Sequence, residues 1–150
     1  MKDNDLAEFV VGGWKLEAWT INYSDGRTTW PFGKQATGQI LYASDGCMSA
    51  TIMGANRKTL SSDNVRDAST QEQAQAFLSY FHYAGSWEVE GSYVLHRVEL
   101  ALNPNSLGST QKRFASSENK NQLILSAQEL VGADETRTHK IEWRRAKPKL

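Results

Sequence analysis

Residues 38–53, GQILYASDGCMSATIM, place Ile40 and Tyr42 before an Asp45-Gly46 pair and Met48, Ala50 and Ile52 after it. A period of two puts such a set on one face of a β-strand. An Asp-Gly pair between two apolar runs is the strongest short-range hairpin signal. The same grammar runs through the chain. It predicts strands over residues 14–23, 38–43, 47–53, 86–90, 93–102, 110–115, 122–127 and 136–145. Gly12-Gly13 opens the first strand, SDGR (24–27) turns it, Gly91 marks a tight turn, and Asn103-Pro104-Asn105 breaks the chain. Eight sequential antiparallel strands read as a meander, and closing the sheet removes both edges. An eight-stranded barrel has an interior just wide enough for side chains or one small ligand. The fold class is therefore all-β: an eight-stranded antiparallel β-barrel. A two-sheet sandwich is the rival, but it calls for more Gly/Pro turns and for no helix with a sustained apolar stripe.

One helix interrupts the strands. Ala74, Phe77, Leu78 and Phe81 fall at i, i+3, i+4 and i+7, and Gly85 is a plausible stop. Ser69 with Glu72, or Thr70 with Gln73, fits a capping box. This helix is expected to lay its Phe77/Phe81 face over one barrel mouth. The preceding residues 54–67 are polar and irregular, a long loop of the kind that forms lids or rims.

The remaining composition mostly excludes. The 150 residues suit one domain, residues 1–150, with an ordered core of about 11–145. Seventeen basic and seventeen acidic residues cancel, and the only basic cluster is the tail Arg144, Arg145, Lys147, Lys149. That is no footprint for nucleic acid. The single cysteine, Cys47, excludes an internal disulfide, and no metal-ligand spacing is present. No apolar stretch approaches a membrane span or a secretory h-region, so a soluble, cytoplasmic protein is expected, with a homodimer left open.

Residues 93–102, YVLHRVELAL, raise the functional question. Val94, His96, Val98, Leu100 and Leu102 share one face, expected to be the inner one. An unpartnered buried polar group costs about 1–3 kcal/mol. His96 therefore needs a partner, a water or a ligand. Gln111 and Arg113 share a face if Phe114 packs outside. His139 shares one with Ile141 and Trp143, and Tyr42 shares one with Ile40. Met48, Ala50 and Ile52 make a further apolar stripe, and Trp87, Val98, Phe77 and Phe81 are candidate walls. Apolar walls with a few convergent polar groups describe a small-molecule site. Each polar residue has a bland reading beside the functional one: His96 as a satisfied core imidazole, Arg113 in a surface ion pair, Tyr42 as wall.

GGWKL, SDGR, PFG (31–33), GQILYASDGCMSA (38–50), YFHYAG (80–85), VLHRVE (94–99) and WRR (143–145) occur in that order. This set resembles the bacterial and fungal lipocalin-like domain family over about residues 11–145. One departure is visible: Ser106 follows Asn105 where members often carry tryptophan. The resemblance implies a closed lipocalin-like (calycin-type) barrel. It further implies that Trp14 plugs one end with Arg145 lying over it as a structural pair. Some members look like cofactor-free isomerases, cyclases or dehydratases beside natural-product assembly genes, and no catalytic motif carries over.

Two functions follow. In the first, preferred here, the barrel is a cofactor-free isomerase, cyclase or dehydratase acting on a small apolar polyketide- or terpenoid-like metabolite. His96, Arg113, His139 and Tyr42 supply acid, base and oxyanion stabilisation, and Gln111, Met48, Ile52, Phe77, Phe81, Trp87, Val98 and Trp143 shape the cavity. In the second, the barrel carries an apolar ligand unchanged. Burying ~300 Å² of ligand at ~25 cal/mol/Å² gives a gross ~7 kcal/mol before ordering costs. A haem carrier with His96 or His139 as axial ligand is a weaker third reading.

Overall fold

The structure, a computed structural model, describes residues 3–148. Helix α1 spans Asp3–Val10. Strands β1 (Gly12–Tyr23), β2 (Thr28–Thr29), β3 (Thr37–Tyr42) and β4 (Cys47–Met53) follow, then helix α2 (Thr70–Leu78). The chain ends with β5 (Tyr80–Glu90), β6 (Tyr93–Ala101), β7 (Thr110–Ser116), β8 (Gln122–Leu130) and β9 (Thr136–Arg145). The sheet order is β2-β1-β3-β4-β5-β6-β7-β8-β9, and β1 also pairs with β9, from Trp14 against Arg145 to Tyr23 against Arg137. That pairing closes eight long antiparallel strands into the expected barrel, with two-residue β2 attached to β1. At the β3–β4 hairpin, Gly46 takes the positive φ (+93°) the turn requires, and the Asp45 carboxylate accepts from the Cys47 amide at 3.0 Å.

Two bulges reset the side-chain parity. Gly85 faces Val98 while Ala84 faces Leu100, so Glu99 is the extra residue on β6. Leu100 therefore turns outward and is 64% exposed, which corrects its assignment to the inner stripe. A second irregularity between Leu16 and Ala18 carries β1 from an inner Trp14 and Leu16 to an inner Trp19 and Ile21.

The helix expectation is corrected in two ways. The Ser69/Glu72 capping box starts α2 as the sequence allows, but the helix ends at Leu78. Phe81 belongs to β5, where it pairs with Ile52. Residues 80–90 carry aromatic and β-favouring side chains, and pairing with β4 overrides the i+7 helical match. Helix α2 buries no residue, and Phe77 is 48% exposed.

The helix that seals a barrel end is α1. Its Leu6 and Val10 are buried in the core with Trp14 and Leu123. The Trp14 Nε1–H donates to the Val10 carbonyl at 2.9 Å, and the Phe9 ring lies 5.5 Å from that of Trp14. Arg145 places its guanidinium carbon 4.1 Å from the Trp14 ring centroid. The same guanidinium donates to the carbonyls of Phe9 (2.8 Å), Val11 (3.3 Å) and Lys120 (3.1 Å). One cation thus satisfies the Phe9 carbonyl that the helix end leaves open and ties it to Val11 and to Lys120 of the β7–β8 connection.

Candidate functional site

The half of the barrel away from α1 encloses a cavity of about 400 Å³. Ligand-sized pockets begin at roughly 300 Å³. Ile40, Ala50, Ile52, Phe81, Leu125 and Ile141 give it apolar walls. Trp19 and Trp143 add indole faces, and Phe32 from the β2–β3 connection packs edge-on against Trp19 at 5.2 Å. No residue of the 54–67 loop or of α2 lines this space.

Two polar clusters face into it. The first is centred on His96, which is 1% exposed. Its Nε2 lies 2.6 Å from the Tyr42 hydroxyl and its Nδ1 lies 2.6 Å from the Tyr83 hydroxyl. Burial, with the nearby Arg113 cation adding to it, lowers the imidazole from its ordinary 6.5 to about 3. The ring is neutral at physiological pH. Burial also raises both phenols, with the Arg113 charge acting the other way. Arg113 and Gln111 arrive together from alternate positions of β7 and bond to each other at 3.2 Å, while Phe114 points out against Tyr93.

The second cluster is centred on His139 from β9. Its Nδ1 accepts from the Trp19 Nε1–H at 3.2 Å. Its Nε2 therefore carries the proton and donates to Glu129 Oε1 at 2.8 Å. Glu129 also accepts from Arg137, and its carboxyl is held below the usual range chiefly by the bond from His139. Neither His96 nor His139 has a ring nitrogen free of a partner, so neither is placed as an axial haem ligand.

Of the residues singled out from the sequence, His96, Arg113, His139, Gln111, Ile52, Phe81 and Trp143 line the cavity. Five do not. Tyr42 is buried behind His96 and reaches the cavity only through it. Met48 and Val98 are buried in core away from it. Trp87 packs edge-on against Tyr42 and donates its Nε1–H to the Ala43 carbonyl at 2.9 Å. Phe77 lies outside the barrel on α2.

The structure adds Tyr83, Trp19 and Glu129. Tyr83 shares strand parity with Phe81, a signal masked by the helical reading of YFHYAG. Trp19 is displaced from simple alternation by the β1 bulge. Glu129 lies beyond the predicted end of its strand. Trp143 is 1% exposed, and its indole N–H has no acceptor among the described residues.

Two solved structures are weakly similar to this chain over most of its length. A redesigned beta barrel is 13% identical to this chain, covering 94% of it and 95% of its own length, with a TM-score of 0.44. A structure of EF1p2_mFAP2b bound to DFHBI is 15% identical over 93% of this chain and 96% of its own, with a TM-score of 0.43. No curated protein matches the chain. The lipocalin-like domain profile matches residues 11–146. That match spans every barrel strand, the Trp14–Arg145 pair and both polar clusters, and the chain belongs to the lipocalin-like domain family.

Proposed function

We propose that this barrel binds one small, largely apolar molecule in the cavity between the His96 and His139 clusters. A lipocalin-like barrel fits small-molecule binding. The observation that carries the reading here is the cavity itself: about 400 Å³, walled by Ile52, Phe81, Leu125 and Ile141, with polar groups confined to two places. The neutral fluorophore N-phenyl-1-naphthylamine tests it. Wild-type protein is expected to titrate one-to-one with enhanced emission. Ala127→Trp, which fills the cavity from a partly buried position on β8, is expected to weaken binding at least about tenfold. Equal titration of the two proteins contradicts the reading.

A second reading, the cofactor-free isomerase, cyclase or dehydratase, is supported by Tyr83 and the Glu129–His139 pair facing one cavity. A hydroxyl donor near one part of a substrate and a carboxylate–imidazole pair near another are the groups a proton relocation needs. In this scheme His96 orients Tyr83 instead of touching substrate, since both its nitrogens are engaged and its neutral form persists to about pH 3. Turnover of a candidate substrate lost in both Tyr83→Phe and Glu129→Gln, with binding retained, supports the enzyme. Turnover unchanged in both variants removes it.

A further inference from the structure

We infer that the Tyr42–His96–Tyr83 chain fixes one imidazole tautomer and thereby aims the Tyr83 hydroxyl proton into the cavity, as a donor for a carbonyl or enolate oxygen of the ligand. The inference rests on the cavity being the binding site and names the chemical class of its occupant.

The argument is an accounting of protons. A neutral imidazole has one N–H and one acceptor nitrogen. One tyrosine must therefore donate to His96 and the other must accept from it. Tyr42 is 1% exposed, lies off the cavity, and its hydroxyl has no partner except His96 Nε2 among the described residues. If Nε2 carried the proton, Tyr42 would accept it, and its own O–H would be left without a protein acceptor in the buried core. Leaving a buried donor unpaired costs about 1–3 kcal/mol. If Tyr42 instead donates to Nε2, the imidazole proton sits on Nδ1 and donates to the Tyr83 oxygen at 2.6 Å. The Tyr83 proton then has no acceptor among the described residues and has the cavity in front of it. Within the Tyr42–His96–Tyr83 chain, no hydrogen is then orphaned except the one that a ligand can take.

Two features sharpen the ligand class. Tyr83 accepts from an N–H, which polarises its own O–H and strengthens the bond it donates. Arg113 lines the same cavity, so an oxygen beside Tyr83 also meets a fixed positive charge. A carbonyl oxygen, or the enolate it becomes, satisfies both. A hydrocarbon satisfies neither and leaves the Tyr83 proton unpaired.

Long-range ¹H–¹⁵N correlation spectra of the imidazole rings test the tautomer without any ligand. His96 is expected to be protonated at Nδ1 and unprotonated at Nε2; the opposite tautomer overturns the inference. Affinities for 2-acetylnaphthalene and 2-ethylnaphthalene test the ligand class. Wild type is expected to prefer the ketone by about tenfold, and Tyr83→Phe, which keeps the ring, is expected to bind both alike. A ketone preference that survives Tyr83→Phe, or wild type binding both probes equally, overturns the donor role and leaves the cavity standing. Binding of neither probe overturns the cavity reading and this inference together.

Discussion

The Tyr42 hydroxyl lies 2.6 Å from Nε2 of His96, and both groups are only 1% exposed. This contact joins the core to the cavity. Tyr42 comes from β3 and has no access to a ligand, yet its bond determines how His96 presents its other nitrogen to Tyr83 on β5. Three strands thus meet in one short polar chain inside an otherwise aliphatic barrel.

Acid should destabilise the fold through this chain. The unfolded imidazole takes its proton near 6.5, whereas the folded one, facing Tyr42, Tyr83 and the Arg113 charge, stays neutral to about 3. Between those values the unfolded state binds more protons, so stability falls as pH falls, by up to ~1.4 kcal/mol per unit. Urea unfolding between pH 6.5 and 5, above the main carboxylate range, measures it. His96→Gln is expected to flatten the slope in that interval, and an unchanged slope assigns the effect to another group.

Gly85→Ala should be far worse than Gly46→Ala. A Cβ on Gly85 would lie 1.9 Å from the Arg97 carbonyl oxygen across the β5–β6 bulge, so backbone must move. A Cβ on Gly46 meets nothing within 4 Å and suffers only its positive φ, worth ~1–2 kcal/mol. Thermal unfolding of both variants is expected to show a modest loss for Gly46→Ala and loss of the cooperative transition for Gly85→Ala.

Arg145→Met should release α1 from the barrel end. It removes the stack on Trp14 and the donors to Phe9, Val11 and Lys120, a loss of ~2–4 kcal/mol. Amide exchange in Asp3–Val10 is expected to accelerate while the β4–β5 amides stay protected. Arg145→Lys is expected to rescue little, because one ammonium cannot reach three carbonyls and stack. Full protection of α1 in Arg145→Met contradicts this role.

The barrel was legible because alternation and turns are local properties. Residues 38–53 carry their strands, register and turn in one stretch, and the structure pairs Tyr42 with Met48 and Gly38 with Ile52 accordingly. What escaped depends on partners distant in sequence. A bulge is a mismatch between two strands, so neither the outward turn of Leu100 nor the inward turn of Trp19 shows in either strand alone. Residues 74–81 satisfy a helical period, yet β4 claims Phe81 for the sheet. Helix α1 did leave a trace: Leu6, Phe9 and Val10 sit at i, i+3 and i+4, although so short a helix gains its stability from the barrel end. In the site, the parity of His96, Gln111, Arg113 and His139 placed each on the cavity wall. Their partners are hidden for separate reasons: Tyr83 lies where a helical period runs into β5, and Trp19 follows the β1 bulge.

Methyl chemical-shift mapping during titration with 2-acetylnaphthalene tests most directly whether the barrel interior is the binding site. The account predicts progressive, saturable shifts of the Ile52, Leu125 and Ile141 methyls, with Val65 and Leu78 on the outer surface unmoved. Shifts confined to Val65 and Leu78, with the three interior residues silent, would contradict it.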